Sequence, residues 1–228
     1  MSDKVNKVRF FLFVVLACLP ACVLWSQSRI SILGDSYSTY YGYLQPETNA
    51  WWYPEQGGNN DVQKVEETWW HRLIHEHGLK LERNNSFSGA TVCNTGYNQE
   101  DYSDRSFITR MDNLGQPDII LVFGGTNDSW AGVPIGEYQY GNWTSKDLYQ
   151  FRPAFSYMLD YLIEHYPDAE IYQITNTELS KEITESIDEI CKHYKVPNIV
   201  LKYIDKQLGH PSINGMKSIS EQVWKAIK

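Results

Sequence analysis

Ile30-Ser31-Ile32-Leu33-Gly34-Asp35-Ser36 is a short apolar run stopped by a glycine and followed by an acid and a serine. The run reads as a buried strand, and Gly34 ends it in a turn. A serine hydroxyl is therefore expected at the carboxyl edge of a first strand, where open α/β sheets bind their ligands. A hydroxyl is a weak nucleophile until a base takes its proton. His210, in the turn-forming stretch Leu208-Gly209-His210-Pro211-Ser212, is the candidate base.

Outward from that strand the pattern alternates. Strands are predicted over residues 29–33, 79–83, 118–123, 170–175 and 198–204. Helices are predicted over 68–77, 146–165, 179–194 and 215–227. Such alternation implies an α/β fold with a doubly wound, parallel, five-stranded sheet and helices on both faces. Residues 37–67 and 86–117 show no regular period. Loops of that length in a compact domain are usually functional, and their tryptophans and tyrosines argue against disorder.

The 228 residues are 42% hydrophobic and 21% charged, ordinary for one globular domain. A net charge of -8 leaves no basic stripe for nucleic acid. Lys4, Lys7 and Arg9 precede an uncharged run from Phe10 to Trp25, so residues 1–25 read as a signal peptide and 26–228 as the mature domain. The run is short for a spanning helix. Leu19-Pro20-Ala21-Cys22 resembles a bacterial lipoprotein box, which would leave a lipid anchor on Cys22. Plain cleavage near Ala21 is the alternative. The expected location is exported: periplasmic, secreted or an outer-membrane lipoprotein. Cys93 and Cys191 then remain, either paired or as separately buried thiols.

Four segments fall after predicted strands: Gly34-Asp35-Ser36, Ser88-Gly89-Ala90, Gly124-Gly125-Thr126-Asn127-Asp128 and Gly209-His210-Pro211. A parallel sheet brings such loops to one edge. Their residue types suit acyl transfer. Ser36 attacks, His210 serves as base and then acid, and an oxyanion takes hydrogen bonds from Ser36 N, Gly89 N and the Asn127 amide. Asp35 and Asp128 read as turn residues. His71 and His75 have metal-ligand spacing on a helix, but no further ligands accompany them, and an exposed helix face is the better reading. No metal and no cofactor are expected.

In these four motifs the chain resembles the SGNH/GDSL esterase family, whose Ser, Gly, Asn and His match Ser36, Gly89, Asn127 and His210 in chain order. The resemblance implies a flavodoxin-like three-layer sandwich, ester hydrolysis through an acyl-serine, and no metal. One position departs. The acid usual three residues before the histidine is here Gln207, and the nearest acid is Asp205. Either Asp205 orients the imidazole through a reshaped loop, or a backbone carbonyl replaces it and leaves a dyad.

Aromatic residues crowd the loops beside these motifs. Tyr40, Trp51, Trp52 and Trp130 are the candidate substrate platform, since flat rings suit the apolar faces of sugars. Trp69 and Trp70 are read as core. The expected substrate is an acylated small molecule or glycan, deacetylated or otherwise deacylated. A lipid or thioester hydrolase, and a glycan-binding lipoprotein with a decayed site, are the alternatives.

Overall fold

The computed structural model describes residues 27–55 and 57–228. The predicted leader and Cys22 lie outside the described residues. Strand β1 (Arg29–Gly34) pairs in parallel with β2 (Lys80–Asn84) and β3 (Ile119–Phe123). Strands β4 (Glu170–Thr175) and β5 (Asn198–Val200) continue the sheet in the order β2-β1-β3-β4-β5. This is the flavodoxin-like order, with its topological switch point between β1 and β3. Gly34 stands opposite Phe123, so the loops carrying Ser36 and Asn127 leave the sheet side by side.

Period-two alternation divides β3 between two cores. Ile119, Leu121 and Phe123 face helices α1 (Trp69–Glu76) and α6 (Ile213–Ile227), with Trp69, Trp70, Met216 and Ile219. Ile120 and Val122 face α4 (Phe151–His165) and α5 (Lys181–Tyr194), with Phe155, Leu159, Ile187 and Ile190. Both faces of β3 are buried, which explains its unbroken apolar run. Cys93 and Cys191 are buried free thiols.

Several boundaries differ from the sequence reading. The fifth strand stops at Val200 rather than at residue 204. Leu201 N still donates to Thr175 O, but β4 ends there. The Gln222 side chain from α6 then takes over the backbone of Lys202 through both its N–H and C=O. Tyr203, at φ 55, turns the chain away. Helix α4 begins at Phe151, not Lys146. Asp147 captures the Thr144 N–H and hydroxyl in a separate turn, and Pro153 falls in the first helical turn, where it displaces no intrahelical bond. Two short helices had no periodic signal: α2 (Phe107–Arg110) and α3 (Thr126–Ala131).

Beyond β5 a small antiparallel hairpin forms from β6 (Lys206–Gln207) and β7 (His210–Pro211). Its two-residue turn places Leu208 at φ 51 and Gly209 at φ 74. Two successive positive φ values are the type I′ pattern, whose twist matches the flanking strands. Glycine tolerates that region, whereas leucine adopts it at a cost.

Candidate active site

Ser36 opens a single 3₁₀ turn, Ser36–Ser38, at the end of β1. Asp35 caps the turn by accepting the Tyr37 N–H at 3.0 Å. Ser36 Oγ lies 2.9 Å from Nε2 of His210, across 174 residues of sequence. The other ring nitrogen, Nδ1, is 3.1 Å from the carbonyl of Leu208. A carbonyl only accepts, so Nδ1 carries the proton and donates, and Nε2 is left as the acceptor for the serine hydroxyl. That is the tautomer a general base needs.

The group that holds the tautomer is thus a backbone carbonyl, and the expected role of Asp205 is corrected. Its carboxylate accepts the hydroxyl of Ser212 instead, and its carbonyl accepts the Ser212 N–H at 3.0 Å. Ser212 in turn caps α6 through Gly215 N. Asp205 therefore anchors a helix start. The hairpin register explains the exclusion. Gln207, not Asp205, is paired across the strands with His210, and the Gln207 amide oxygen accepts the N–H of Asp61 at 2.8 Å.

The imidazole sits in an aromatic box. Trp52 stacks on it with centroids 3.8 Å apart and planes 12° apart. Tyr37, Trp130 and Tyr53 surround it at 5.4, 6.0 and 6.2 Å. Burial in this box lowers the His210 pKa to about 4. The Leu208 carbonyl partly opposes the shift, and the nearby Lys206 charge adds to it.

Asn127, in the first turn of α3, donates one amide hydrogen to Ala90 O at 3.0 Å, and its carbonyl accepts the Tyr97 hydroxyl at 2.8 Å. Its second amide hydrogen remains for a ligand. Gly89 sits at φ +82, and a Cβ built there meets nothing within 4 Å, so its backbone borders open space. Asp128 accepts the N–H groups of Val92 and Cys93 and so clamps the Gly89 loop to α3. Burial raises the Asp128 pKa to about 6 and that of Asp35 to about 7.

The sequence-predicted platform is only partly assembled. Trp51 pairs with the exposed Tyr41 at 5.1 Å, and Trp51 and Trp52 line an open cleft of about 570 Å³ with Glu47, Thr48, Asn49, Ala50 and Glu55. Trp52, however, gives one face to His210. Trp130 borders the site from α3 and is 44% exposed. Tyr40 is corrected to a packing role: its hydroxyl donates to Gln63 O and its ring packs on the α1/α6 core. The sequence reading missed Tyr97, and it offered a backbone carbonyl as one of two partners for the imidazole without naming Leu208. The first lay in an aperiodic loop, and a backbone acceptor has no signature in residue identity.

A family profile described as GDSL-like lipase/acylhydrolase matches residues 28–227. The chain belongs to that family. Among solved structures, a candidate GDSL-like lipase from Bacteroides uniformis ATCC 8492 is 65% identical, with TM-score 0.88, over 89% of this chain and 96% of that one. A second, from Bacteroides ovatus ATCC 8483, is 58% identical, with TM-score 0.86, over 89% and 98%. A family two carbohydrate esterase from Clostridium thermocellum, in complex with cellohexaose, shares the fold at 15% identity and TM-score 0.62, over 88% and 63%. No curated protein sequence matches the chain. The protein is thus a GDSL-type hydrolase with the family's α/β architecture, and Ser36 is the third residue of its Gly34-Asp35-Ser36-Tyr37 stretch.

Proposed function

We propose that this GDSL-type hydrolase is an exported serine esterase that removes acyl groups, acetyl foremost, from carbohydrate. The contact that carries the chemistry is Ser36 Oγ on His210 Nε2, with Nδ1 pinned by Leu208 O. Ser36 Oγ adds to the ester carbonyl carbon as its proton passes to Nε2. The oxyanion takes hydrogen bonds from Ser36 N, Gly89 N and Asn127 Nδ2. Collapse expels the sugar oxygen, which takes the proton from Nε2. Water then repeats the sequence on the acyl-serine and releases the carboxylic acid. Among the described residues the transient imidazolium has no carboxylate partner. The Leu208 carbonyl dipole and the stacked π-face of Trp52 are the groups placed to stabilise it.

The cleft favours a sugar over a long acyl chain. Glu47, Thr48, Asn49 and Glu55 supply hydroxyl-binding groups around Trp51, where a lipid would need an apolar trough. The assembled Ser–His pair speaks against a glycan-binding protein with a decayed site. The predicted leader, with or without lipid on Cys22, supports export. The test is a substrate panel. Acetylated oligosaccharides should be cleaved with kcat/KM at least tenfold above long-chain 4-nitrophenyl esters. The reverse order would favour a lipid hydrolase.

The same reading fixes a pH profile. Only neutral His210 can act as base, so kcat/KM for a small ester should hold as pH falls past 6 and decline toward about pH 4, where the buried imidazole titrates. An unperturbed histidine would lose activity near 6.5. Asp205→Ala should leave that acid limb in place and cost stability, about 1–2 kcal/mol for a lost charge-assisted bond. Denaturant melts and a pH–rate curve separate the two effects. A limb moved by a pH unit or more would return Asp205 to the catalytic machinery.

A further inference from the structure

The β6–β7 hairpin that carries His210 has two residues per strand, a leucine at positive φ in its turn, and a proline that offers no N–H to the ladder. A hairpin of this size has little stability of its own. Its geometry must be imposed from outside, and the described contacts show by what. Tyr37 donates its hydroxyl to Gly209 O at 2.6 Å, and Tyr53 donates to Pro211 O at 2.8 Å. The buried Asn60 amide spans both strands, donating to Pro211 O at 3.2 Å and to Gln207 O at 3.4 Å. Among the described hydrogen bonds between the hairpin and segment 37–61, the one from Asp61 N to Gln207 is the one in which the hairpin supplies a side chain. The Asp61 carboxylate extends the tie by accepting Ile213 N at 2.9 Å, at the start of α6. These four residues belong to the segment 37–61 that also carries Trp51 and Trp52; on the other side Lys206 ties β6 to Thr177 O and to the Glu178 carboxylate.

We propose that Gln207 is a positioning residue: it latches the histidine hairpin to the aromatic segment 37–61, so that order in the substrate-facing loop and placement of the base are coupled. This rests on the serine-esterase reading and deepens it. The position usually occupied by the catalytic acid has changed task. A glutamine reaches the Asp61 N–H, one methylene beyond an aspartate, while Leu208 O takes over the imidazole. The coupling also gives a route by which a sugar seated on Trp51 and Trp52 firms the base, through the Trp52–His210 stack.

The test compares wild type, Gln207→Met, which keeps length but removes the acceptor, and Gln207→Glu, which keeps the acceptor. Circular dichroism establishes that each is folded. Nitrogen-15 spectra follow the His210 imidazole against pH, a readout that needs no turnover. In Gln207→Met the imidazole should titrate closer to the ordinary histidine value, as the box loosens and water enters. Its kcat on 4-nitrophenyl acetate should drop about tenfold with KM within twofold, the signature of a misplaced catalytic group, and Gln207→Glu should recover most of that loss. A folded Gln207→Met protein with the wild-type titration overturns the latch, whatever the activity. A wild-type protein with no esterase activity and no labelling of Ser36 overturns the esterase reading instead, and the titration still decides the latch.

Discussion

Hydrolysis of a small activated ester is expected to fall by roughly 10⁴-fold or more when Ser36 is replaced by alanine. The substitution deletes one oxygen from a residue that is 3% exposed and leaves the 3₁₀ turn and the Asp35 cap intact. What disappears is the atom bonded to His210 Nε2 at 2.9 Å, and no other hydroxyl is bonded to that nitrogen among the described residues. The size of the loss follows from covalent catalysis, since without Oγ there is no acyl-enzyme and water must attack unaided. His210→Ala should cost a comparable factor, and the double variant little more, because the two groups act as one unit. Steady-state rates give the factor. Mass spectrometry after fluorophosphonate treatment gives the cause: one adduct on the wild-type protein, none on Ser36→Ala. Full activity in a folded Ser36→Ala protein would end the serine-esterase reading.

The second large effect is expected at Asn127. Asn127→Ala should lower kcat by about 10²–10³-fold with a much smaller change in KM, the loss typical of one oxyanion donor. Its amide is aimed by two contacts, to Ala90 O and from Tyr97 Oη, so the free hydrogen is pre-oriented and needs no rearrangement when charge develops. Alanine also strands the Tyr97 hydroxyl and the Ala90 carbonyl, which costs stability of about 1–3 kcal/mol per group left buried. A thermal melt therefore accompanies the kinetics. If KM rose while kcat held, Asn127 would be binding the ground state, and the oxyanion hole would rest on the two backbone donors alone.

Much of this architecture is legible in residue order. The unbroken Ile119–Phe123 is apolar on both faces because helices cover both sides of the sheet, and Ile30–Leu33 departs from that only at Ser31, whose hydroxyl donates to Leu114 O; the strands and the α/β class follow from such runs alternating with helical periods. Parallel topology then forces the loops after β1, β2 and β3 to one edge, which is why Ser36, Gly89 and Asn127 were identifiable as a group. The small helix α3 was not legible, since six residues hold no helical period, and its absence from the reading left Trp130 on a loop.

The partner of the histidine could not be read from side-chain identity. The sequence offered an acid at 205 and an amide at 207. Which of them faces the imidazole depends on a hairpin register and on a turn with two positive φ values. Those are settled by tertiary groups, namely the Tyr37 and Tyr53 hydroxyls, the Asn60 amide and the Asp61 N–H. The sequence by itself therefore determined the sheet and singled out Ser36, His210, Gly89 and Asn127 as candidates, because hydrophobic period and residue type are encoded locally. The tertiary structure decided that a carbonyl rather than a carboxylate is bonded to His210, that Trp52 stacks on its imidazole, and that Tyr40 packs on the α1/α6 core. The Trp52–His210 stack joins segments distant in the chain, and the Leu208 carbonyl, only two residues from His210, is aimed by a turn that distant groups hold, so neither could be read from local residue identity.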